Sequence, residues 1–160
     1  EARGIRSGWE ALKGVRTMER VKNENGIYPI VDGSNGMVIT LLDDYGDKPT
    51  REKVTLDFSN VKVANLGKEA LEFIKQKYNS ESLTVTYLRL MLPAVYHFDA
   101  YASEHEIESF AEYNDVVQDD YRNYLENYRN EFCEEYSPRY IVFLLSVSRR
   151  IRRWLKGEEF

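Results

Sequence analysis

"SPRYIVFLLSVSRRIRRWLK", residues 137–156, has the pattern of an amphipathic helix whose second half is strongly basic. Ser137 followed by Pro138 is typical of a helix start, because serine caps free N–H groups and proline fits the first helical position. Apolar residues recur at helical spacing and predict a buried stripe: Tyr140, Leu144, Val147, Ile151 and Trp154. At about 100° per residue, four cations fall on the opposite side: Arg149, Arg152, Arg153 and Lys156.

The charge of this segment contrasts with that of the chain around it. The segment holds six Lys or Arg and no acid, whereas the 160-residue chain has a formal net charge of −5. Residues 103–135 hold 11 acids and 2 bases, and residues 1–22 hold 6 bases and 3 acids. A basic surface can bind phosphate even on an acidic protein, because its field acts over about 8–10 Å. The simpler interpretation is a solvated helix face whose cations complement the helix dipole.

The two other long helices of the C-terminal part are predicted from caps and periodicity. Thr84 or Ser82 is expected to cap a helix over residues 83–102, which Pro93 should kink or break. Asn114 is expected to cap a helix over residues 115–132 with an acidic first turn. Its predicted buried face is Val117, Tyr121, Tyr124, Leu125 and Tyr128.

The N-terminal part favours strands, followed by one more helix. Turn residues separate β-leaning runs between residues 26 and 58, and "DGSNG" (32–36) is typical of a hairpin loop. A weak helical pattern covers residues 8–22. From residue 65 the spacing predicts a helix with one buried face: Leu66, Ala70, Phe73, Ile74 and Tyr78.

These patterns together predict an α+β chain in two parts. Residues 1–58 would form a small antiparallel β extension, and residues 59–160 a mainly α-helical domain that folds without residues 1–55. No apolar run approaches about 18 residues, so no membrane span is expected. The single cysteine, Cys133, and the two histidines predict no disulfide framework, metal site or cofactor. We expect a soluble, cytoplasmic protein, and the first residue, Glu1, suggests a piece of a longer one.

Three stretches, in this order, resemble the core-binding domain of the tyrosine recombinases, the phage-integrase family. They are "TVTYLRLML" with "FDAY" (84–101), "IESFAEYNDVVQDDYRNYL" (107–125) and "SPRYIVFLLSVSRRIRRWL" (137–155). The segment over residues 55–78 is similar to a lead-in found in some mobile-element integrases. Residues 1–54 add nothing to the resemblance.

The resemblance implies a helical domain that forms half of a C-shaped clamp on duplex DNA and works beside other recombinase subunits. A separate catalytic domain would carry an Arg, Lys, His-x-x-Arg, His/Trp and Tyr set, whose tyrosine forms a 3′-phosphotyrosyl link without a metal. Neither His97 nor His105 is followed three residues later by Arg, and we find no catalytic residues in this chain. The implied DNA-contacting residues are Thr84, Thr86, Tyr87, Arg89, Ser137, Arg139, Tyr140, Arg149, Arg150, Arg152, Arg153 and Lys156.

Other roles for these residues and this chain stay open. Thr84 could serve only as a cap, and Tyr87 and Tyr140 are better explained by core packing than by DNA contact. The acidic segment of residues 103–135 should face away from DNA. The chain could instead be an acidic protein–protein interaction module, in which the arginines pair with acids of another copy. It could also be a stand-alone regulator that never had a catalytic domain.

Overall fold

The computed structural model of the chain describes residues 28–33, 35–43, 52–80 and 82–158. Within them, three strands precede four α-helices, so the chain has the predicted α+β fold. The strands are β1 (Ile30–Asp32), β2 (Val38–Asp43) and β3 (Glu52–Asp57). The helices are α1 (Ala64–Asn79), α2 (Val85–Glu104), α3 (Asp115–Glu126) and α4 (Pro138–Leu155), and a 3-10 turn lies at Phe110–Glu112. The helix predicted for residues 8–22 lies outside the described residues.

The strands form one antiparallel sheet in the order β1-β2-β3. Thr40 of β2 pairs with Ile30 of β1 and with Thr55 of β3. The predicted hairpin loop between β1 and β2 is confirmed, and Gly33 and Gly36 there have φ angles of 93° and 70°. Such positive φ values carry no steric cost for glycine. Alternating residues of the two longer strands are buried and form one apolar face: Ile39, Leu41, Val54 and Leu56.

The apolar face of the sheet belongs to the same hydrophobic core as the helices. The Tyr78 hydroxyl of α1 donates to the Leu42 carbonyl and accepts from the Leu42 N–H, both at 3.3 Å. The Tyr96 hydroxyl of α2 donates to the Asp57 carbonyl at 2.8 Å. The core therefore runs across the predicted division between residues 58 and 59. Whether the two parts can fold separately stays a prediction.

Helix α1 begins at Ala64, and a side chain from another helix caps it. Val63 precedes the helix and offers no side-chain cap. The buried carboxylate of Asp99, on α2, accepts from the N–H groups of Lys62 and Val63, each at 2.8 Å. A carboxylate at this end also suits the helix dipole. The five predicted core positions of α1 are all buried.

Helix α2 starts as predicted and runs through its proline. The Thr84 side chain accepts from the Tyr87 N–H at 3.1 Å, which confirms the predicted cap. Pro93 lies inside a helix of 20 residues, so it does not break the helix. Both Pro93 and Arg89, whose carbonyl loses its helical donor, are exposed. Water can satisfy that carbonyl, which lowers the cost of the proline.

Helix α3 starts at its predicted cap but ends six residues earlier than predicted. Asn114 accepts from the Val117 N–H at 2.8 Å, as expected. The helix ends at Glu126, not at residue 132. The Asn130 side chain accepts from the N–H groups of Phe132 (2.8 Å) and Glu134 (3.0 Å). Asparagine side chains compete in this way with helical hydrogen bonding, so the chain turns there instead.

Helix α4 confirms its predicted start and its buried stripe. The Ser137 side chain accepts from the Tyr140 N–H at 3.1 Å, and Pro138 is the first helical residue. The stripe is fully buried at its centre and half-buried at its two ends. At the far end, the Trp154 indole donates to the Gln76 side chain of α1 at 2.7 Å. None of the described helices combines the length and apolar character that crossing a membrane requires.

Candidate nucleic-acid interface

The C-terminal half of α4 presents most of its cations to solvent. Arg149, Arg153 and Lys156 are exposed, whereas Arg150 and Arg152 are half-buried. Their helix is held by Leu144, Val147 and Ile151, all at most 1% exposed. The predicted opposition of a buried stripe and a basic face is therefore confirmed for this helix. We call Arg149, Arg150, Arg152, Arg153 and Lys156 the basic end of α4.

Arg150 joins the basic end of α4 to the start of α2. Its guanidinium lies over the Tyr87 ring, 5.4 Å from the ring centroid. Tyr87 also meets Phe143 edge-on at 5.9 Å. Thr84, Thr86 and Arg89 are exposed on the first turns of the same helix. Two groups of candidate residues that are more than fifty positions apart in sequence thus form one continuous surface.

Arg149 and Arg152 are held by neighbours outside their own helix. Arg149 donates to the Gln118 side-chain oxygen of α3 through Nη2 at 2.7 Å and Nε at 3.2 Å. Arg152 forms an ion pair with Glu158 at 3.9 Å. Surface pairs of this kind contribute about 0–1 kcal/mol. Both arginines therefore keep most of their capacity to bind an anion.

The N-terminal end of α4 forms a separate candidate region. Twelve residues separate Ser137 from Arg149, which corresponds to about 18 Å along the helix. Arg139 is exposed beside Ser137. Tyr140 is half-buried and packs against the rings of Tyr136 (5.0 Å) and His97 (6.2 Å). The structure thus brings Ser137, Arg139 and Tyr140 together but keeps them away from the basic end.

Capping and packing account for four of the candidate residues without DNA. Thr84 and Ser137 cap their helices, and Tyr87 and Tyr140 pack against other rings. These roles were the alternatives predicted for Thr84, Tyr87 and Tyr140. They do not exclude a contact with DNA, because all four residues keep some exposed surface.

A residue of the acidic segment 103–135 lies beside the basic end, in addition to Glu158. Asp115, in the first turn of α3, lines the same cleft as Arg149, Arg152 and Arg153. The expectation that the acidic segment faces away from DNA stays a prediction, but Asp115 of that segment lies beside the cations of α4. The position of Asp115 follows from the packing of α3 on α4, a tertiary contact that the sequence pattern does not contain.

Burial suppresses ionisation of several tyrosines. Burial raises the pKa of Tyr136 to about 12 and raises the pKa values of Tyr101 and Tyr121 further. The Tyr101 hydroxyl donates to the Asp120 carboxylate at 2.6 Å, which also favours its protonated form. A phenol that attacks phosphorus must lose its proton, so burial does not activate these three as nucleophiles.

The sequence did not indicate how closely the aromatic residues are connected. From Tyr101 a series of ring contacts runs through α3 and the following turn to α4, with centroid separations of 5.0–6.4 Å. The series comprises Tyr101, Tyr124, Tyr128, Tyr136, Tyr140 and Phe143. Helical spacing explains only the contacts within one helix. The contacts between elements depend on the early end of α3 and on the turn after it.

Comparison of the chain with protein-family models, with curated proteins and with solved structures found no match. The resemblance to the core-binding domain of tyrosine recombinases therefore stays a prediction that rests on the residues quoted above.

Proposed function

We propose that this chain binds duplex DNA, as the DNA-binding N-terminal portion of a site-specific tyrosine recombinase, integrase or transposase of a mobile element. The observation that supports it best is the contact of Arg150 with Tyr87. This contact joins the basic end of α4 to the start of α2 in one surface. Arginine suits this role, because its planar fork of donors matches phosphate oxygens and guanine edges.

The length of α4 favours contact with both sides of a groove. Its capped N-terminus, with Arg139, lies about 18 Å from Arg149 along the helix. The major groove of B-DNA is about 12 Å wide. Free N–H groups at one end and guanidinium groups at the other could therefore meet phosphates on opposite strands. The acidic remainder of the domain would limit non-specific affinity.

Strand cleavage would belong to the catalytic domain that the resemblance implies. In this proposal the chain positions DNA and contacts other recombinase subunits, and it does not itself break a phosphodiester bond. The proposal also places the protein in the cytoplasm, without a cofactor.

The test is the salt dependence of DNA binding when the basic end is neutralised. Each phosphate neutralised contributes about −0.9 to the slope of log affinity against log salt concentration. Replacing Arg149, Arg152 and Arg153 with alanine should weaken binding to all duplexes and flatten that slope by up to about 3. The measurement is fluorescence anisotropy on the full chain at several salt concentrations.

A matched control removes arginines from the acidic segment. Arg122→Ala with Arg129→Ala should leave the slope unchanged, because both residues lie in the segment of residues 103–135, whose 11 acids disfavour contact with DNA. Circular dichroism verifies that every variant is folded. A folded triple variant with the wild-type slope would overturn the proposal and leave the basic end as a solvated helix face.

A second candidate is a protein–protein interaction module. The separation of charge supports this candidate. Residues 103–135 hold 11 acids and 2 bases, whereas residues 137–156 hold six bases and no acid. In this case copies of the chain would associate through arginine–carboxylate pairs. Sedimentation velocity would then show salt-sensitive self-association without DNA, and the triple alanine variant would be monomeric.

A further inference from the structure

A cleft of about 280 Å³ lies between the start of α3 and the end of α4. Three arginines line it, Arg149, Arg152 and Arg153, and two carboxylates do so as well, Asp115 and Glu158. If all five side chains are ionised, the cleft holds one excess positive charge. Such a cleft can bind an anion, although this charge alone does not specify one.

Among the described residues, one buried hydroxyl in the wall of the cleft has no hydrogen-bond partner. Tyr113 lines the cleft and is only 2% exposed. Within the described part of the chain, its hydroxyl is shielded from water and makes no hydrogen bond. Leaving a buried donor unsatisfied costs about 1–3 kcal/mol. The Arg152 Nε is likewise buried without a hydrogen-bond partner among the described residues. Two donors at one cleft thus lack an acceptor in the part of the chain that the structure describes, and a bound oxyanion would supply one after a small shift of the side chains that shield them.

The start of α3 adds further donors to the same place. The Asn114 side chain takes up the Val117 N–H, but the first helical N–H groups, at Asp115 and Val116, have no carbonyl partner within the helix. The positive end of the helix dipole lies here too. Gln118, one turn further on, holds the Arg149 guanidinium through two hydrogen bonds. The donors of the cleft are therefore positioned before any ligand arrives.

Glu158 competes for the arginines of the cleft. Gly157, with φ of 73°, turns the chain back after α4, and the Glu158 N–H donates to the Arg153 carbonyl at 2.8 Å. This places the Glu158 carboxylate 3.9 Å from Arg152, and its side chain is 55% exposed. A carboxylate held this loosely can be displaced by another oxyanion that the donors of the cleft bind.

We propose that this cleft binds a single phosphate group, with the Tyr113 hydroxyl as its innermost donor and Glu158 as the internal competitor. The phosphate is either a backbone diester of DNA or a free phosphate. The inference deepens the proposed function, and only its DNA part rests on that function.

The first test compares two tyrosines whose buried hydroxyls have no hydrogen-bond partner in the described part of the chain. Tyr113→Phe should raise the melting temperature of the free protein, because it removes an unsatisfied group. The same variant should weaken binding of inorganic phosphate about tenfold, since a hydrogen bond to a charged group is lost. Tyr121→Phe is the matched control: its hydroxyl is also unpartnered but lies outside the cleft, so phosphate affinity should not change. Isothermal titration calorimetry on the full chain measures the phosphate affinity of both variants. Thermal denaturation followed by circular dichroism measures their melting temperatures.

The second test removes the competitor. Glu158→Gln should tighten phosphate binding by up to about fivefold, the range expected for loss of one exposed ion pair. Glu135→Gln is its control, because Glu135 forms a comparable exposed pair with Arg129 away from the cleft. Repeating both tests with a short duplex that has 5′-hydroxyl ends leaves backbone diesters as the only phosphates.

The outcomes separate the cleft from the proposed function. Parallel changes in phosphate and duplex affinity support a backbone phosphate in the cleft. Changes with inorganic phosphate alone support a free phosphate, and the complete absence of duplex binding would at the same time overturn the DNA proposal. The cleft inference is overturned if the wild type does not bind phosphate, or if Tyr113→Phe and Glu158→Gln both bind inorganic phosphate with wild-type affinity.

Discussion

At the scale of single residues, His97 lies among the rings of three tyrosines. The rings of Tyr136, Tyr128 and Tyr140 surround it, with centroid separations of 5.1, 5.7 and 6.2 Å. Its Nε2 lies 3.0 Å from the Tyr136 hydroxyl. Burial lowers the pKa of His97 below its usual value of 6.5. The half-buried imidazole is therefore kept neutral by its surroundings at neutral pH.

This burial predicts a loss of stability in mild acid. As pH falls below about 6.5, the unfolded chain takes up a proton on His97 before the folded chain does. The contribution of neutral His97 to the free energy of unfolding is therefore fully present above that pH, and it is lost as the pH falls toward the folded-state pKa. His97→Gln should make the free energy of unfolding depend less on pH between about 7 and 5. Urea denaturation followed by circular dichroism at a series of pH values measures this.

A second variant identifies the cause. Tyr136→Phe removes the hydrogen bond but keeps His97 buried, so it should retain the pH dependence of the wild type. Equal pH dependence in the wild type and His97→Gln would show that burial of His97 is not responsible.

At the scale of elements, the caps determine where the helices begin. Ser137 caps α4, and the helix that follows carries both the central stripe of the core and the basic end. Thr84 caps α2 and Asn114 caps α3 in the same way. Helix ends depended on features that are harder to find in a sequence. The Asn130 turn ends α3 early, and the Gly157 turn ends α4.

The cap of α4 provides a prediction at this scale. Ser137→Ala should lower the free energy of unfolding by about 1 kcal/mol, because the Tyr140 N–H loses its acceptor. Ser137→Asp should restore most of the loss, since aspartate also caps helices and suits the dipole. Urea denaturation of the three proteins tests this. If Ser137→Asp is as unstable as Ser137→Ala, capping is not what Ser137 contributes.

At the scale of the whole molecule, the sheet and the helices share one core. The Leu42 backbone is bonded to Tyr78 of α1, and the Asp57 carbonyl to Tyr96 of α2. Both tyrosines come from helices that the sequence assigns to a separate domain. Removing residues 1–55 would expose apolar side chains of α1 and α2 and leave the Tyr78 hydroxyl without its backbone partner.

We therefore expect a chain without residues 1–55 to be unfolded or only loosely packed, contrary to the expectation from sequence alone. Each large apolar side chain that loses its burial costs about 1.5–3 kcal/mol. Because the strands bury several of them, the total loss is a large share of the stability of a small domain. Circular dichroism and urea denaturation of the truncated chain test this. A cooperative transition with the midpoint of the full chain would instead support two independent domains.

The sequence by itself determined the local features of this protein. Ser137, Asn114 and Thr84 mark helix starts, because a cap bonds to an N–H only three residues away. Helical spacing alone identified five of the eight buried residues of α1, and alternation with the "DGSNG" loop identified the hairpin. These predictions depend on short-range geometry, which the order of residues states directly. The separation of a basic helix from an acidic segment was likewise visible in the order of the charges.

Only the tertiary structure decided which distant residues meet. Asp99 caps α1 from 36 positions away, Arg150 lies over Tyr87, and Tyr113 lines a cleft with the arginines of α4. Periodicity tells which face of a helix is buried, but not which helix covers it or how the two are aligned. Those choices depend on how all the apolar faces fill one core together. For this reason the candidate DNA-binding residues could be named from the sequence, whereas their grouping into a joined surface, a separate helix end and a phosphate-sized cleft could not.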